Sequence, residues 1–418
     1  MRIVYPRCCG LDVHKRSISA CLLIPNKDGG TQQEIRRFGT VTRDLLELCD
    51  WLASNEVTHV AMESTGVYWK PVWNILEANF TILLVNAQHV KAVPGRKTDA
   101  KDCQWIADLL QHGLLKGSFI PPSPIRELRD LTRTRASLRQ DHTSVANRMQ
   151  KILEDANVKL ASVATDWLGV SGRAIVSRML DGEQNAEKLA DLCRGRLRDK
   201  IPEMQLALEG RMSEHHRWVL RLQREQLEFL EAQIAKLDAK IQEKTKAYQE
   251  AVDLCTTIPG IEAVAAANLI AEMGVNMDQF PSAAHLASWA GLCPGNNESA
   301  GKRLSGKARN GNVWLRRNLC QAAWAASHSK NTYLSSQFRR LAARKGKKRA
   351  IVAVGHTILI IVFHMLKNHQ PYRDLGADYF DRRNAEQLKR ALIRRLERLG
   401  LQVTVQSPAC PPSTIQTA

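Results

Sequence analysis

Between Leu220 and Ile241, apolar residues return at intervals of seven, three, four, three and four: Leu220, Leu227, Leu230, Ile234, Leu237 and Ile241. This is the a/d rhythm of a heptad repeat, broken only at Gln223, and it commits the segment to a long helix with one apolar seam. Such a seam is unstable in water unless something covers it. A chain of 418 residues offers two covers. One is a second helix of the same chain, for which 126–155 is the candidate; the other is a second copy. The expectation is a helical hairpin or dimer arm, with an oligomer contact (dimer or tetramer) along the seam.

The N-terminal part has a different texture. Short apolar runs at Cys8–Val13, Ser17–Pro25, Glu34–Val41, His59–Met62 and Thr81–Asn86 read as strands. Amphipathic stretches at Thr42–Asn55, Trp69–Asn79 and Asp99–His112 read as helices, the first with Leu45, Leu46, Leu48, Trp51 and Leu52 on its apolar face. Three strands followed by helix, strand, helix, strand and helix is an α/β layout with a mixed sheet, the order used by ribonuclease-H-like domains. The run Ile-Pro-Pro-Ser-Pro at 120–124 closes it. The expected division is 1–120 as the α/β domain, 121–255 as a helical coiled-coil segment, and 256–385 as a mostly α domain. A C-terminal helix and a disordered Pro/Ser/Thr-rich tail fill 386–418, with the tail from Gln406.

Other features bound the class. The ten cysteines are scattered with no CxxC pair, which excludes a zinc framework or a secreted disulfide scaffold and implies reduced, mostly buried thiols. The opening residues hold no long apolar leader, and the expectation is a cytoplasmic protein. The apolar run Ala350–Leu366 has seventeen residues, short of the roughly 20 of a spanning helix. It is read as a buried helix, with no membrane partner.

Charge points to the partner. Sixty Lys and Arg against 42 Asp and Glu leave a net charge of +18, a field that attracts polyanions. From Ser299 to Arg373 there are sixteen Lys and Arg and no Asp or Glu. A solvated helix face mixes both signs, so this run indicates a nucleic-acid backbone. The candidate contacts are Lys302, Arg303, Lys307, Arg309, Arg316, Arg317, Arg344, Lys345, Lys347, Lys348 and Arg349. Arg126, Arg129 and Arg133 also share one helical stripe, read as a solvated face in preference to a phosphate-tracking helix. At Ile258 a Pro-Gly turn between apolar segments leaves two readings: a helix-hairpin-helix whose turn amides hold a phosphate, or plain packing of Gly260 and Ile261.

Four acids stand out by placement. Asp12 ends the first strand, Glu63 ends the fourth, and Asp99 and Asp102 open a helix with the i,i+3 spacing of one face. The first and fourth strands are neighbours in a ribonuclease-H-like sheet, so the four carboxylates are expected to converge. Phosphodiester displacement builds charge on the attacking and leaving oxygens, and Mg²⁺ held by hard oxygen ligands stabilises both. The expected cofactor is therefore Mg²⁺, with these four residues as ligands and catalytic groups.

The segments GLDVHK, AMESTGVYW and KTDAKD, followed far along the chain by TIPGI and by FPSAAHLASWAGLCPGNNESAGKRLSGKARNGNVWLRRNLCQAAWAA, together resemble the bacterial DEDD insertion-sequence transposases of the family numbered one-ten. The likeness runs from about Gly10 to Leu366. It implies a RuvC-like N-terminal domain, a coiled-coil segment and a C-terminal transposase domain with a serine nucleophile. Donor and target DNA are the implied substrates, a structured noncoding RNA is the implied guide, and the nucleoid of a bacterium the implied location. The family's serine falls on Ser299, although Ala300 separates it from Gly301, and Ser305-Gly306 also reads Ser-Gly. On this reading the chain is a recombinase that cuts and rejoins DNA, with Ser299 acting at a site shared with the carboxylates. Two other classes compete: a junction-resolving endonuclease that uses metal and water without a covalent intermediate, and a nucleic-acid-binding protein without catalysis.

Overall fold

The computed structural model describes residues 2–26, 30–64, 66–86, 102–294, 297–299, 301–305 and 311–405. The chain divides into two compact units, Met1–Pro121 and Pro122–Ala418.

The first unit is built on five strands: β1 (Cys8–Val13), β2 (Ile18–Pro25), β3 (Thr31–Phe38), β4 (His59–Glu63) and β5 (Thr81–Val85). Their order across the sheet is β3-β2-β1-β4-β5. The first three form an antiparallel meander, while β1 with β4 and β4 with β5 run parallel. Among the described residues three helices accompany them: α1 (Thr42–Ser54), α2 (Trp69–Leu76) and α3 (Asp102–Gln111).

The sheet is covered on both faces, and the period-2 alternation of its strands assigns each residue a side. Cys9, Leu11 and Val13 join a core with Leu45, Leu48 and Leu52 of α1 and Val72 and Leu76 of α2. Cys8 belongs to the opposite core with Cys103, Ile106 and Leu110 of α3. Gly10 fixes how close that helix comes. A Cβ there would lie 2.4 Å from the Ala107 amide nitrogen and the Cys103 carbonyl oxygen, so the α3 backbone rests directly on β1.

The third strand differs from expectation. It covers Thr31–Phe38 where Glu34–Val41 was expected, because all eight residues pair with β2, from Ile18 opposite Phe38 to Pro25 opposite Thr31. It is an edge strand with mostly exposed side chains, so hydrophobic patterning did not mark its start. Leu46, placed on the apolar face of α1 by sequence, is 51% exposed.

Among its described residues the second unit is helical apart from one two-stranded ribbon. It begins with α4 (Ser123–Asp155), and small helices α5 (Leu160–Val163), α6 (Val170–Leu180), α7 (Ala186–Ala190) and α8 (Ile201–Leu208) lead to α9 (Glu214–Thr245). The two long helices, about 50 Å each at 1.5 Å per residue, lie antiparallel. Pairs Lys244–Glu127, Arg135–Asp238, His142–Glu231 and His216–Asp155 mark the register along their length.

The heptad seam closes inside this hairpin. Leu220, Leu227 and Leu230 pack in one cluster with Val145, Met149 and Leu153 of α4 and with Ile175, Met179 and Met204 of the small helices. Ile234 and Ile241 are also buried. The expectation of an oligomer contact along this seam is therefore corrected: the chain covers the seam with its own α4.

Beyond the hairpin come α10 (Gln249–Thr256), α11 (Ala263–Met273), α12 (Ala283–Trp289), the ribbon of β6 (Asn297–Ser299) and β7 (Lys302–Ser305), and α13 (Val313–His328). They are followed by α14 (Tyr333–Lys345), α15 (Lys347–Asn368), α16 (Tyr379–Arg383) and α17 (Ala385–Glu397). Among the described residues α15 is the one helix long and apolar enough to cross a membrane. It packs against α13 and α14, burying Val354, Ile358, Leu359 and Val362. Gly260, with φ +87°, sits between α10 and α11 where a Cβ would lie 2.5 Å from the Ala326 amide nitrogen, so the Pro-Gly turn presses onto the α13 backbone. The tail from Gln406 lies outside the described residues.

Candidate functional site

Strand alternation sends Asp12 to the same face as Cys8 and Gly10, the face that carries α3. On β4, Val60 and Met62 belong to the α1/α2 core and Ala61 to the α3 core, so Glu63 also projects to the α3 face. Leu11 pairs with Met62 in the parallel ladder, which places Asp12 and Glu63 at neighbouring strand ends. The third acid arrives from above. Cys8 Sγ lies 3.8 Å from the Ala107 carbonyl oxygen. The Cys103 thiol is pushed up by burial and then by the Asp12 carboxylate, with Asp102 adding to it. The helix thus runs antiparallel to β1 and brings its first residue, Asp102, toward the end that holds Asp12.

Asp12, Glu63 and Asp102 therefore gather at one end of one sheet face. The Asp12 carboxylate is 24% exposed and stands 3.1 Å from the His14 Nε2. Hard oxygen donors of this kind suit Mg²⁺ in chemistry. Among the described residues, however, no group of three or more His, Cys, Asp and Glu closes tightly enough to hold a metal ion. Asp99, the fourth expected ligand, lies outside the described residues.

In the second unit, β6 and β7 pair antiparallel with Ser299 opposite Lys302 and Asn297 opposite Ser305. The chain reverses at Gly301, φ +74°. The two candidate serines are thus at opposite ends of the ribbon, Ser299 beside the turn and Ser305 at its base. Lys302 is exposed; Lys307 and Arg309 lie outside the described residues, and of Arg303 only the backbone is described. Arg316 is half-buried on α13 and Arg317 exposed, while Arg344, Lys345, Lys347, Lys348 and Arg349 are all exposed around the junction of α14 and α15.

One element escaped sequence reasoning. Glu272, on the apolar α11, is 1% exposed. Arg133 of α4 grips both its carboxylate oxygens, at 2.7 and 2.8 Å, and Asn312 Nδ2 donates to it at 2.6 Å. Arg129 Nε lies 3.4 Å from the same carboxylate, and burial pulls the Arg129 guanidinium down to about 10. The stripe read as a solvated arginine face is thereby corrected for Arg129 and Arg133, which fold onto a buried acid. Asn312 also caps α13 by accepting from the Trp314 and Leu315 amides. The carboxylate therefore ties α4 and α11 to the start of α13, which follows the serine ribbon. A lone acid in LIAEMG was the available signal. Glu272→Ala leaves two half-buried cations without their partner and is expected to cost on the order of 3 kcal/mol of stability. An unchanged denaturant midpoint in that variant would contradict the assignment.

Residues 9–158 match a family model described as a transposase of the DEDD insertion-sequence kind, and residues 252–339 match the model of the transposase IS116/IS110/IS902 family. Together these two matches span more than half of the chain. The chain belongs to the IS110-type transposases. The first match contains all four carboxylates and the second contains the serine ribbon and α13. The transposase is 24% identical over 321 residues to a probable family 20 transposase of Pseudomonas aeruginosa, covering 75% of this chain and 85% of that one. It is 26% identical over 338 residues to an uncharacterized 42 kDa protein of insertion element IS900 from Mycobacterium paratuberculosis, covering 70% and 80%. A third relative, a 43.6 kDa protein of insertion element IS110 from Streptomyces coelicolor, is 31% identical over 115 residues, 27% of this chain and 28% of that one. Membership makes the transposase a DNA-acting enzyme of transposition.

Proposed function

We propose that this transposase cuts and rejoins donor and target DNA with two sets of groups. One is a Mg²⁺-binding cluster of Asp12, Glu63, Asp99 and Asp102 in the first unit. The other is a serine nucleophile, Ser299, in the second. The observation that carries the first part is the placement of Asp12 and Glu63 at adjacent parallel strand ends, on the face that α3 covers with Asp102 at its start. Such clustering of like charges is unfavourable without a cation and is characteristic of functional sites. The strand order β3-β2-β1-β4-β5 supports a ribonuclease-H-like, RuvC-like reading of this unit. Mg²⁺ bound there would offset the charge that develops on the oxygens of the scissile phosphate.

The chain's own groups do the rest. Asp12, Glu63 and Asp102 provide the anionic wall, and His14 beside Asp12 orients that carboxylate. Ser299 pairs in the ribbon with Lys302, beside the turn, and Lys302 is exposed. On this reading Ser299 and the carboxylate cluster act on the same DNA phosphate. On the same reading the chain beyond the α/β domain divides into a hairpin segment, 121–255, and a transposase domain, 256–385. The family likeness extends the reading to an element-encoded guide RNA.

The deciding experiment incubates the purified chain with donor and target DNA and Mg²⁺, and looks for joined molecules. DNA cut without any joining would replace this reading with an endonuclease.

The exposed cluster at the α14–α15 junction is assigned to the DNA backbone. Neutralising Lys345, Lys347, Lys348 and Arg349 together is expected to weaken DNA binding on all sequences alike. The slope of log affinity against log salt should flatten by roughly 0.9 for each phosphate that is no longer neutralised. A slope and affinity equal to those of the parent chain would remove the cluster from the interface.

A further inference from the structure

The second unit carries a cleft between α4, α11 and α13 that neither the serine nor the basic cluster uses. It consists of cavities of about 580 Å³ and about 160 Å³ that share Arg135, Asn268, Asn318 and Gln321 as lining. The larger is within the roughly 300–1,000 Å³ of sites that hold small organic groups.

Its chemistry is specific. Asn268 and Asn318 meet through one long bond, Asn268 Nδ2 to Asn318 Oδ1 at 3.4 Å. That bond uses one donor and one acceptor, so acceptor and donor capacity remain on the pair for a ligand. Gln321 adds a third amide on the next turn of α13. Trp314 supplies an aromatic wall to the smaller cavity, with the Arg133 guanidinium 5.7 Å from its ring centre. Arg139 and Arg317 line the same cavity, are exposed, and make no ion pair among the described residues. The acids nearby are otherwise engaged or remote from this wall. Glu272 is held by Arg133 and Asn312, Asp238 is paired with Arg135, and Glu262 is an exposed residue at the turn that precedes α11.

We propose that this cleft holds one unstacked nucleotide of a nucleic-acid strand. The base lies against the Asn268, Asn318 and Gln321 amides and Trp314, and the flanking phosphates rest on Arg139 and Arg317. Side-chain amides bond base edges in both directions, an aromatic wall accepts any base face, and guanidinium groups match phosphate oxygens. A base can reach such a pocket only after leaving its stack, which selects single strands, junctions and distorted duplexes over regular helix. The position matters as well, since α13, which carries Arg317, Asn318 and Gln321, begins shortly after the ribbon that bears Ser299. A nucleotide seated here fixes the register of a strand relative to that ribbon. The inference rests on the DNA-handling reading for its ligand class, but not on Ser299 or the carboxylates as catalytic groups.

The test uses the full chain and oligonucleotides carrying one 2-aminopurine, as single-stranded DNA, single-stranded RNA and blunt DNA duplex. Arg139→Gln combined with Arg317→Gln, both at exposed positions, should flatten the single-strand salt slope by about 1.4, at 0.7 per phosphate. Asn268→Leu combined with Asn318→Leu removes both amides together, so neither is left unpaired. It should weaken single-strand binding about tenfold, keep the salt slope, and abolish the 2-aminopurine fluorescence change. Loss on DNA alone, on RNA alone or on both supports the proposal and names the strand. Unchanged slope and affinity in the arginine variant on both strands overturns it, even where the leucine variant does not fold. Equal loss on the duplex also overturns it, because an unstacked nucleotide is then not what is bound. DNA joining by the parent chain tests the proposed function separately, so either can fail while the other stands.

Discussion

An Asp12→Asn transposase is expected to fold and to bind DNA as the parent does, while strand joining falls by on the order of a thousandfold. The substitution keeps the size of the side chain and removes one negative charge from the wall that Glu63 and Asp102 share. If that wall exists to hold Mg²⁺, losing one anionic oxygen ligand weakens metal binding and the transition-state stabilisation that depends on it. Several kcal/mol of such stabilisation corresponds to about three decades in rate. Structural consequences should be small. Asp12 lies at a strand end, partly exposed, with His14 as its neighbour, and the ladder from Cys8 to Val13 is held by backbone bonds and by cores on both faces. The measurement pairs a time course of joined DNA at several Mg²⁺ concentrations with thermal unfolding. Chelating the metal in the parent reaction should reproduce the loss. Parental joining rates in Asp12→Asn would remove this carboxylate from the chemistry.

Much of the first unit was legible because its strands are short apolar runs bounded by turns, and its helices carry one apolar face. The placement of Asp12, Glu63 and Asp102 at element ends was legible for the same reason: acids at the ends of buried elements are conspicuous in sequence. What sequence could not supply was depth. Gly10 carries no pattern of its own, yet it sets the close approach that draws Asp102 toward Asp12. The edge strand β3 was misplaced because its register comes from β2, not from its own side chains.

In the second unit the heptad seam announced a partner helix without naming it. A seam has the same period whether α4 or another chain covers it, and only the tertiary structure separates the two. The arginine stripe failed for a related reason. Arg129 and Arg133 look like a solvated face until a single acid more than a hundred residues away, Glu272, is brought beneath them. The cleft is hidden more deeply still. Asn268 and Asn318 are ordinary polar residues on separate helices and acquire a role only by meeting.

The second large effect is expected at the serine ribbon. Ser299→Ala should bind DNA with parental affinity and form no covalent protein–DNA adduct, while Ser305→Ala should still form it. In the proposed step the Ser299 oxygen bonds to the scissile phosphorus as the bond to the sugar oxygen breaks. The serine proton leaves, and the displaced sugar oxygen departs as a hydroxyl. One phosphodiester is exchanged for another, so the reverse attack can rejoin a strand without an energy-supplying nucleotide. In keeping with this, the sequence holds no GxxxxGK[ST] loop. A serine hydroxyl is weakly nucleophilic unless it is deprotonated or polarised, so the proposed step calls on the carboxylate centre, and an isolated ribbon should be inert. The ribbon's register separates the two candidates: Ser299 stands beside the turn and opposite Lys302, while Ser305 pairs with Asn297 at the base. A residue at the turn is the better placed of the two to be offered to a bound strand. Denaturing gels of reactions stopped at short times would report the adduct as a shifted protein band. An adduct formed by Ser299→Ala, or one lost only in Ser305→Ala, would move the nucleophile from the turn to the base of the ribbon or out of it altogether.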